Sequence, residues 1–84
     1  MSAMIPENIV HKKVGDETVL LNFDLGVYYG LDPVGTRVWE LLAEGKTAAE
    51  IVEVMLGEYE IDRDTLARDV DALLAELASR QLIV

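Results

Sequence analysis

Few residues in this chain are equipped to do chemistry. His11 is the sole histidine and there is no cysteine, so neither a Cys/His zinc set nor a thiolate nucleophile can be assembled. His11 lies beside Lys12 and Lys13 and reads as an exposed strand residue. No Ser/His/Asp arrangement has support in the spacing, and no glycine-rich phosphate loop occurs, since Gly26 and Gly30 stand alone. Asp62, Asp64, Asp69 and Asp71 are suggestive of a cation site. They lack the Asp-x-Asp-x-Asp-Gly loop and distant glutamate that such a site needs. Asp62 reads instead as a helix cap, and Asp64 with Arg68 as a surface i,i+4 pair. The sequence points away from an enzyme, and no catalytic residue, metal or cofactor is expected.

What remains is main-chain chemistry. Val27-Tyr28-Tyr29-Gly30-Leu31 is an apolar, aromatic strand with no lysine or proline to blunt it. At a sheet edge such a strand recruits foreign strands through its unpaired amides and carbonyls. Proteins keep such edges when their use is to accept a peptide by β-augmentation. The blander alternative is that Tyr28, Tyr29 and Leu31 cover the last helix or pair with the C-terminal tail, Leu82-Ile83-Val84.

The elements that must position this strand follow from periodicity and punctuation. Residues 8–14 favour a strand and end at the turn signal Gly15-Asp16. Glu17 to Phe23 carries Val19, Leu21 and Phe23 at period two, which predicts that face as the buried one. Asp24-Leu25-Gly26 leads tightly into Val27–Leu31, so the three strands form an antiparallel meander. At Asp32-Pro33 the pattern changes to helix, aspartate at the N-cap and proline at the first position. Helix one spans Pro33 to Ala43, with Val34, Val38, Leu41 and Leu42 on one stripe, and Gly45 stops it. Thr47 and Glu50 form a capping box for a second helix to about Glu58, which buries Ile51, Val52 and Met55. A third helix runs from Asp62 to near Arg80 on the stripe Leu66, Val70, Leu73, Leu74, Leu77. Three strands followed by three helices predict an α+β, winged helix-turn-helix-like domain occupying residues 1–84.

Composition agrees with a small binding module. The 84 residues suffice for one domain, and 51% hydrophobic content suffices for a core without disulfides. Lack of cysteine suits a reducing cytoplasm. The longest apolar runs are a few residues, so no membrane span is expected, and Met1 to Glu7 lacks signal-peptide character. Met1 and Met4 both remain open as the start. The net charge of −9 repels nucleic acid over most of the surface and suits either solubility or attraction of a basic peptide.

Further residues narrow the reading. Leu25-Gly26-Val27-Tyr28-Tyr29-Gly30-Leu31-Asp32 is followed by Gly35-Thr36, Trp39-Glu40-Leu41-Leu42, Gly45-Lys46-Thr47, Glu50-Ile51-Val52 and Asp69-Val70, then Leu77-Ala78 and Gln81-Leu82. In this order and spacing, from about Val14 onward, the chain resembles the PqqD-like family of RiPP recognition elements. The resemblance implies that an extended leader peptide adds antiparallel to the third strand, its side chains entering a cleft against the third helix. Carried onto this chain, Val27, Tyr28, Tyr29, Gly30 and Leu31 would supply main-chain partners, and Leu66, Asp69, Val70 and Leu73 would line the opposite wall. Asp69 would either meet a basic leader residue or hold local backbone. Trp39 reads as core.

Among such proteins the chain most resembles the stand-alone type of lasso-peptide synthesis, a monomer whose partner is a separate leader peptidase of transglutaminase-like fold. A peptide chaperone of coenzyme PQQ synthesis is the second reading. From other classes come a winged-helix DNA-binding protein and a subunit that buries its third strand in a homodimer. The third helix sets Arg63, Arg68 and Arg80 among Asp62, Asp64, Asp69, Asp71 and Glu76, a poor phosphate surface. Tyr29→Ala and Val70→Asp are both expected to weaken leader binding with little effect on the fold.

Overall fold

The computed structural model describes residues 4–84, so Met1, one of the two candidate starts, lies outside the described residues. Gly15, at a φ of +66°, turns β1 (Ile9–Val14) into β2 (Glu17–Asn22), with Val14 opposite Glu17. A two-residue hairpin needs positive φ at its first central position, which glycine adopts without steric cost. β3 (Val27–Leu31) returns antiparallel along β2, with Asn22 opposite Val27 and Thr18 opposite Leu31. The sheet order β1-β2-β3 leaves β3 at an edge.

The helices start and stop on local chemistry. Asp32 caps α1 (Pro33–Ala43) by accepting the Gly35 amide at 2.7 Å. Gly45, at a φ of +88°, ends it: its amide reaches the Leu42 carbonyl, and the Lys46 amide reaches that of Leu41. That pair of bonds is the Schellman closure. Thr47 and Glu50 cap α2 (Ala48–Leu56) reciprocally, at 3.2 and 2.8 Å. The helix stops two residues before Glu58. Asp62 caps α3 (Arg63–Ser79) through the Thr65 amide. These elements make the expected α+β fold.

One face of the sheet packs on the helices. Leu20, Leu31, Val38, Trp39, Ile51, Met55, Val70 and Leu77 are among the core residues. The buried face of β2 is not the one its hydropathy marks. Thr18, Leu20 and Asn22 point inward, whereas Val19 is 39% and Phe23 69% exposed. A one-residue phase shift exchanges the two faces of a strand. Here the inner face tolerates polar residues because Asn22 is satisfied: its Oδ1 accepts the Asp24 and Leu25 amides, and its Nδ2 donates to the Gln81 carbonyl. Val34, expected on the apolar stripe of α1, is also exposed, since its place in the first turn faces away from the core.

The C-terminal tail takes a partner other than β3. Gln81 adopts a φ of +59°, and the chain then buries Leu82 and Ile83. The backbone of Val84 exchanges two hydrogen bonds with Met4, at 2.8 and 2.9 Å. The tail is therefore held away from the outer edge of β3. Surface ion pairs join Lys13 to Glu40, Arg37 to Glu40 and Glu58, Arg63 to Glu53, and Arg80 to Glu76; the pair expected between Asp64 and Arg68 does not form. Among the described residues, no helix is long and apolar enough to cross a membrane.

Candidate peptide-binding cleft

A cleft of about 530 Å³ opens between β3 and α3. Tyr29, Gly30 and Leu31 form its strand wall; Asp32, Val34 and Gly35 close one end at the start of α1; Asp69, Ala72 and Leu73 form the helix wall. Burial along β3 alternates, so Tyr29 and Leu31 point to the helical side and Tyr28 and Gly30 to the outer face. Half of the β3 main-chain groups bond to β2, and the alternate ones face outward along the free edge. Cleft and free main chain thus lie side by side.

The helix wall depends on the pitch of α3. Asp69, Ala72 and Leu73 stand at i, i+3 and i+4 and share one face. Leu66, Val70 and Leu77 occupy the neighbouring face and are buried, at 2%, 1% and 0% exposure. Leu66 and Val70 therefore belong to the core and not to the wall assigned to them from the resemblance. The expectation that Val70→Asp would spare the fold falls with that assignment, because a carboxylate there would be buried without a partner. Val27 is half-buried and Tyr28 is 69% exposed on the outer face; neither lines the cleft.

The cleft also includes Asp32, Val34, Gly35 and Ala72, which the sequence pattern does not mark as wall residues. The i+3 spacing of Ala72 from Asp69 was the available signal for one of them. Gly35 carries a packing constraint, since a Cβ there would come within 3.2 Å of both Asp32 Oδ1 and Leu31 Cδ2. A side chain at that position would disturb the cap and the strand wall together.

Charge around the cleft is uneven. Among the described residues, Asp32 and Asp69 are the only charged ones lining it. Near Tyr29, the Arg80 guanidinium sits 5.0 Å from the ring centroid and also pairs with Glu76 at 2.8 Å. A smaller hollow of about 260 Å³ lies between β1 and α1. Its rim is bridged by Lys13 and Glu40 at 2.9 Å, a contact that holds the Glu40 carboxyl below its ordinary range. There, exposed His11 packs edge to face on Trp39, with centroids 6.3 Å apart. Among the described residues no cluster of three or more acidic or histidine side chains could hold a metal ion.

Comparison with solved structures gives two matches over nearly the whole chain. One is "TbiB1 in Complex with the TbiA(beta) Leader Peptide", with 44% identity, coverage of 95% of this chain and 93% of that one, and a TM-score of 0.92. The other is "Lasso peptide synthetase B1 complexed with the leader peptide", with 23% identity, coverage of 100% and 99%, and a TM-score of 0.91, a likeness of fold. No curated protein matches. The model of the family described as coenzyme PQQ synthesis protein D matches residues 17–83. With strand edge, cleft and family model all falling within the same stretch, the chain belongs to the PqqD family.

Proposed function

We propose that this protein is a non-catalytic recognition domain of lasso-peptide biosynthesis. It binds the leader segment of a ribosomally made precursor peptide and presents it to a separate leader peptidase of transglutaminase-like fold. The observation that carries this reading is the unoccupied edge of β3 beside the β3–α3 cleft, in a chain 44% identical to a protein captured with a leader peptide. The leader adds as a fourth strand. Main-chain groups of β3 give affinity, and alternate leader side chains enter the cleft to give specificity.

The expected strength is that of a releasable carrier. Strand hydrogen bonds contribute about 0.5–1.5 kcal/mol each, and two or three buried side chains about 1.5–3 kcal/mol each. Ordering a disordered leader removes roughly 2–5 kcal/mol, and association costs more. Submicromolar to micromolar dissociation constants follow.

The test is fluorescence anisotropy of labelled leader peptides taken from lasso precursors. Saturable binding in that range, lost when the leader's aromatic and aliphatic side chains are replaced by alanine, supports the reading. A panel of leaders that fails up to about 100 µM, near −5.5 kcal/mol, with the peptidase present refutes it. The family model also favours a second reading, peptide chaperoning in coenzyme PQQ synthesis. Tighter binding of a PQQ precursor peptide than of any lasso leader would establish that one instead.

A further inference from the structure

We infer that the cleft is electrostatically polarised and selects a leader carrying lysine or arginine in the N-terminal half of its bound segment, with Asp69 as the residue that reads this charge. The inference rests on the leader reading above and adds the chemistry of the side chain that one end of the cleft accepts. Asp32 reaches the cleft from the end closed by α1 and Asp69 from the helix wall, and among the described residues no cation lines it. They are not equivalent. Asp32 accepts the Gly35 amide at 2.7 Å and sits at the positive end of α1, where the helix dipole offsets its charge. Asp69 lies within α3, away from its termini, is exposed, and has no ion pair or side-chain hydrogen bond among the described residues.

Arg68, the neighbour of Asp69 on α3, has no ion pair among the described residues but does not line the cleft, and the other nearby cations are engaged elsewhere. Arg63 pairs with Glu53, Arg37 with Glu58, and Arg80 with Glu76 beside the Tyr29 ring. The Tyr29 end of the cleft is thus neutralised, and the Asp32–Asp69 end is left negative. In water an exposed carboxylate is content. A strand laid along β3 would cover Asp69, and covering an unpaired charge is unfavourable unless the ligand supplies a partner. A neutral leader residue leaves that cost in place, whereas lysine or arginine removes it.

Polarity then sets position. β3 runs from Val27 toward Leu31 and Asp32, so an antiparallel ligand places its N-terminal half at the acidic end. The overall charge of −9 steers such a ligand inward at low ionic strength.

The experiment is a double-mutant cycle by anisotropy, using a lasso-precursor leader peptide that the wild-type protein binds and peptides in which each of its lysines or arginines is changed singly to glutamine. Asp69→Asn is expected to weaken the unaltered leader by about five-fold, the scale of a partly covered ion pair. Asp69→Glu is expected to restore most of that loss. The penalty should vanish with one glutamine peptide, altered in the N-terminal half, and should shrink in high salt. Equal binding by wild type and Asp69→Asn, a penalty that persists in every glutamine peptide, or coupling only to a C-terminal basic residue overturns the inference. Wild-type protein that binds no leader overturns the leader reading itself.

Discussion

Arg80 lies over Tyr29, its guanidinium carbon 5.0 Å from the ring centroid, while Glu76 holds the same guanidinium at 2.8 Å. The contact joins the end of α3 to the middle of β3 and fixes the ring that forms one wall of the cleft. A cation over an aromatic face contributes about 0.5–1 kcal/mol at an exposed site. Tyr29→Ala removes both ring and contact and is expected to weaken leader binding about ten-fold, near 1.4 kcal/mol. Tyr29→Phe keeps the ring face and should bind within about two-fold of wild type. Anisotropy with a labelled leader checks both.

Val70 and Ala72 are two residues apart on α3 and should respond in opposite ways. Val70 is 1% exposed, so Val70→Asp forces an unpaired carboxylate into the core and is expected to unfold the protein or leave it molten. Ala72 is exposed and lines the cleft, so Ala72→Phe should fill the groove and abolish leader binding while the thermal melt barely changes. Circular dichroism beside anisotropy separates the two outcomes.

Trp39 is 2% exposed, and its indole nitrogen meets no hydrogen-bond partner among the described residues, so packing carries its contribution. Trp39→Ala is expected to cost about 3–5 kcal/mol of stability, measured by urea denaturation.

Gln81 occupies the left-handed region, at a φ of +59°, where side chains are strained and glycine is not. Gln81→Gly is expected to raise stability by about 0.5–1 kcal/mol, because the bond donated by the Asn22 side chain and the closure of α3 use only main-chain atoms of residue 81. A higher denaturation midpoint with unchanged leader affinity is the expected result.

Acid should release several exposed carboxylate contacts, each of small worth, only at low pH. Glu58 is held below its ordinary range by Arg37, Glu53 by Arg63, and Asp62 by the Thr65 amide it caps. A carboxylate depressed in the folded state stabilises above its unfolded pKa, and that contribution is lost as pH falls through the folded value. Their small contribution should therefore hold at mildly acidic pH and be lost as pH falls below the usual carboxylate range. A series of thermal melts from pH 7 to pH 3 tests the sign.

Local chemistry made much of the architecture legible. The caps Asp32, Thr47 and Asp62 and the terminator Gly45 act on amides and carbonyls within a few residues, so the limits of α1 and the starts of α2 and α3 could be read directly. The strand Val27–Leu31 was equally plain from its apolar run. What the chain order could not decide was which side of an element turns inward. Val19, Leu21 and Phe23 carry the stronger hydropathy, yet Thr18, Leu20 and Asn22 face the core. Asn22 is satisfied there partly by a carbonyl 59 residues away, a partner that exists only once α3 has docked. The same holds for α3. Leu66, Val70, Asp69 and Leu73 all lie within one broad stripe in sequence, and only the angle at which the helix packs sends the first two to the core and the last two to the cleft. Sequence by itself determined the elements; the tertiary structure decided the faces and left the edge of β3 free of the C-terminal tail, because burial and pairing depend on contacts between residues far apart in the chain.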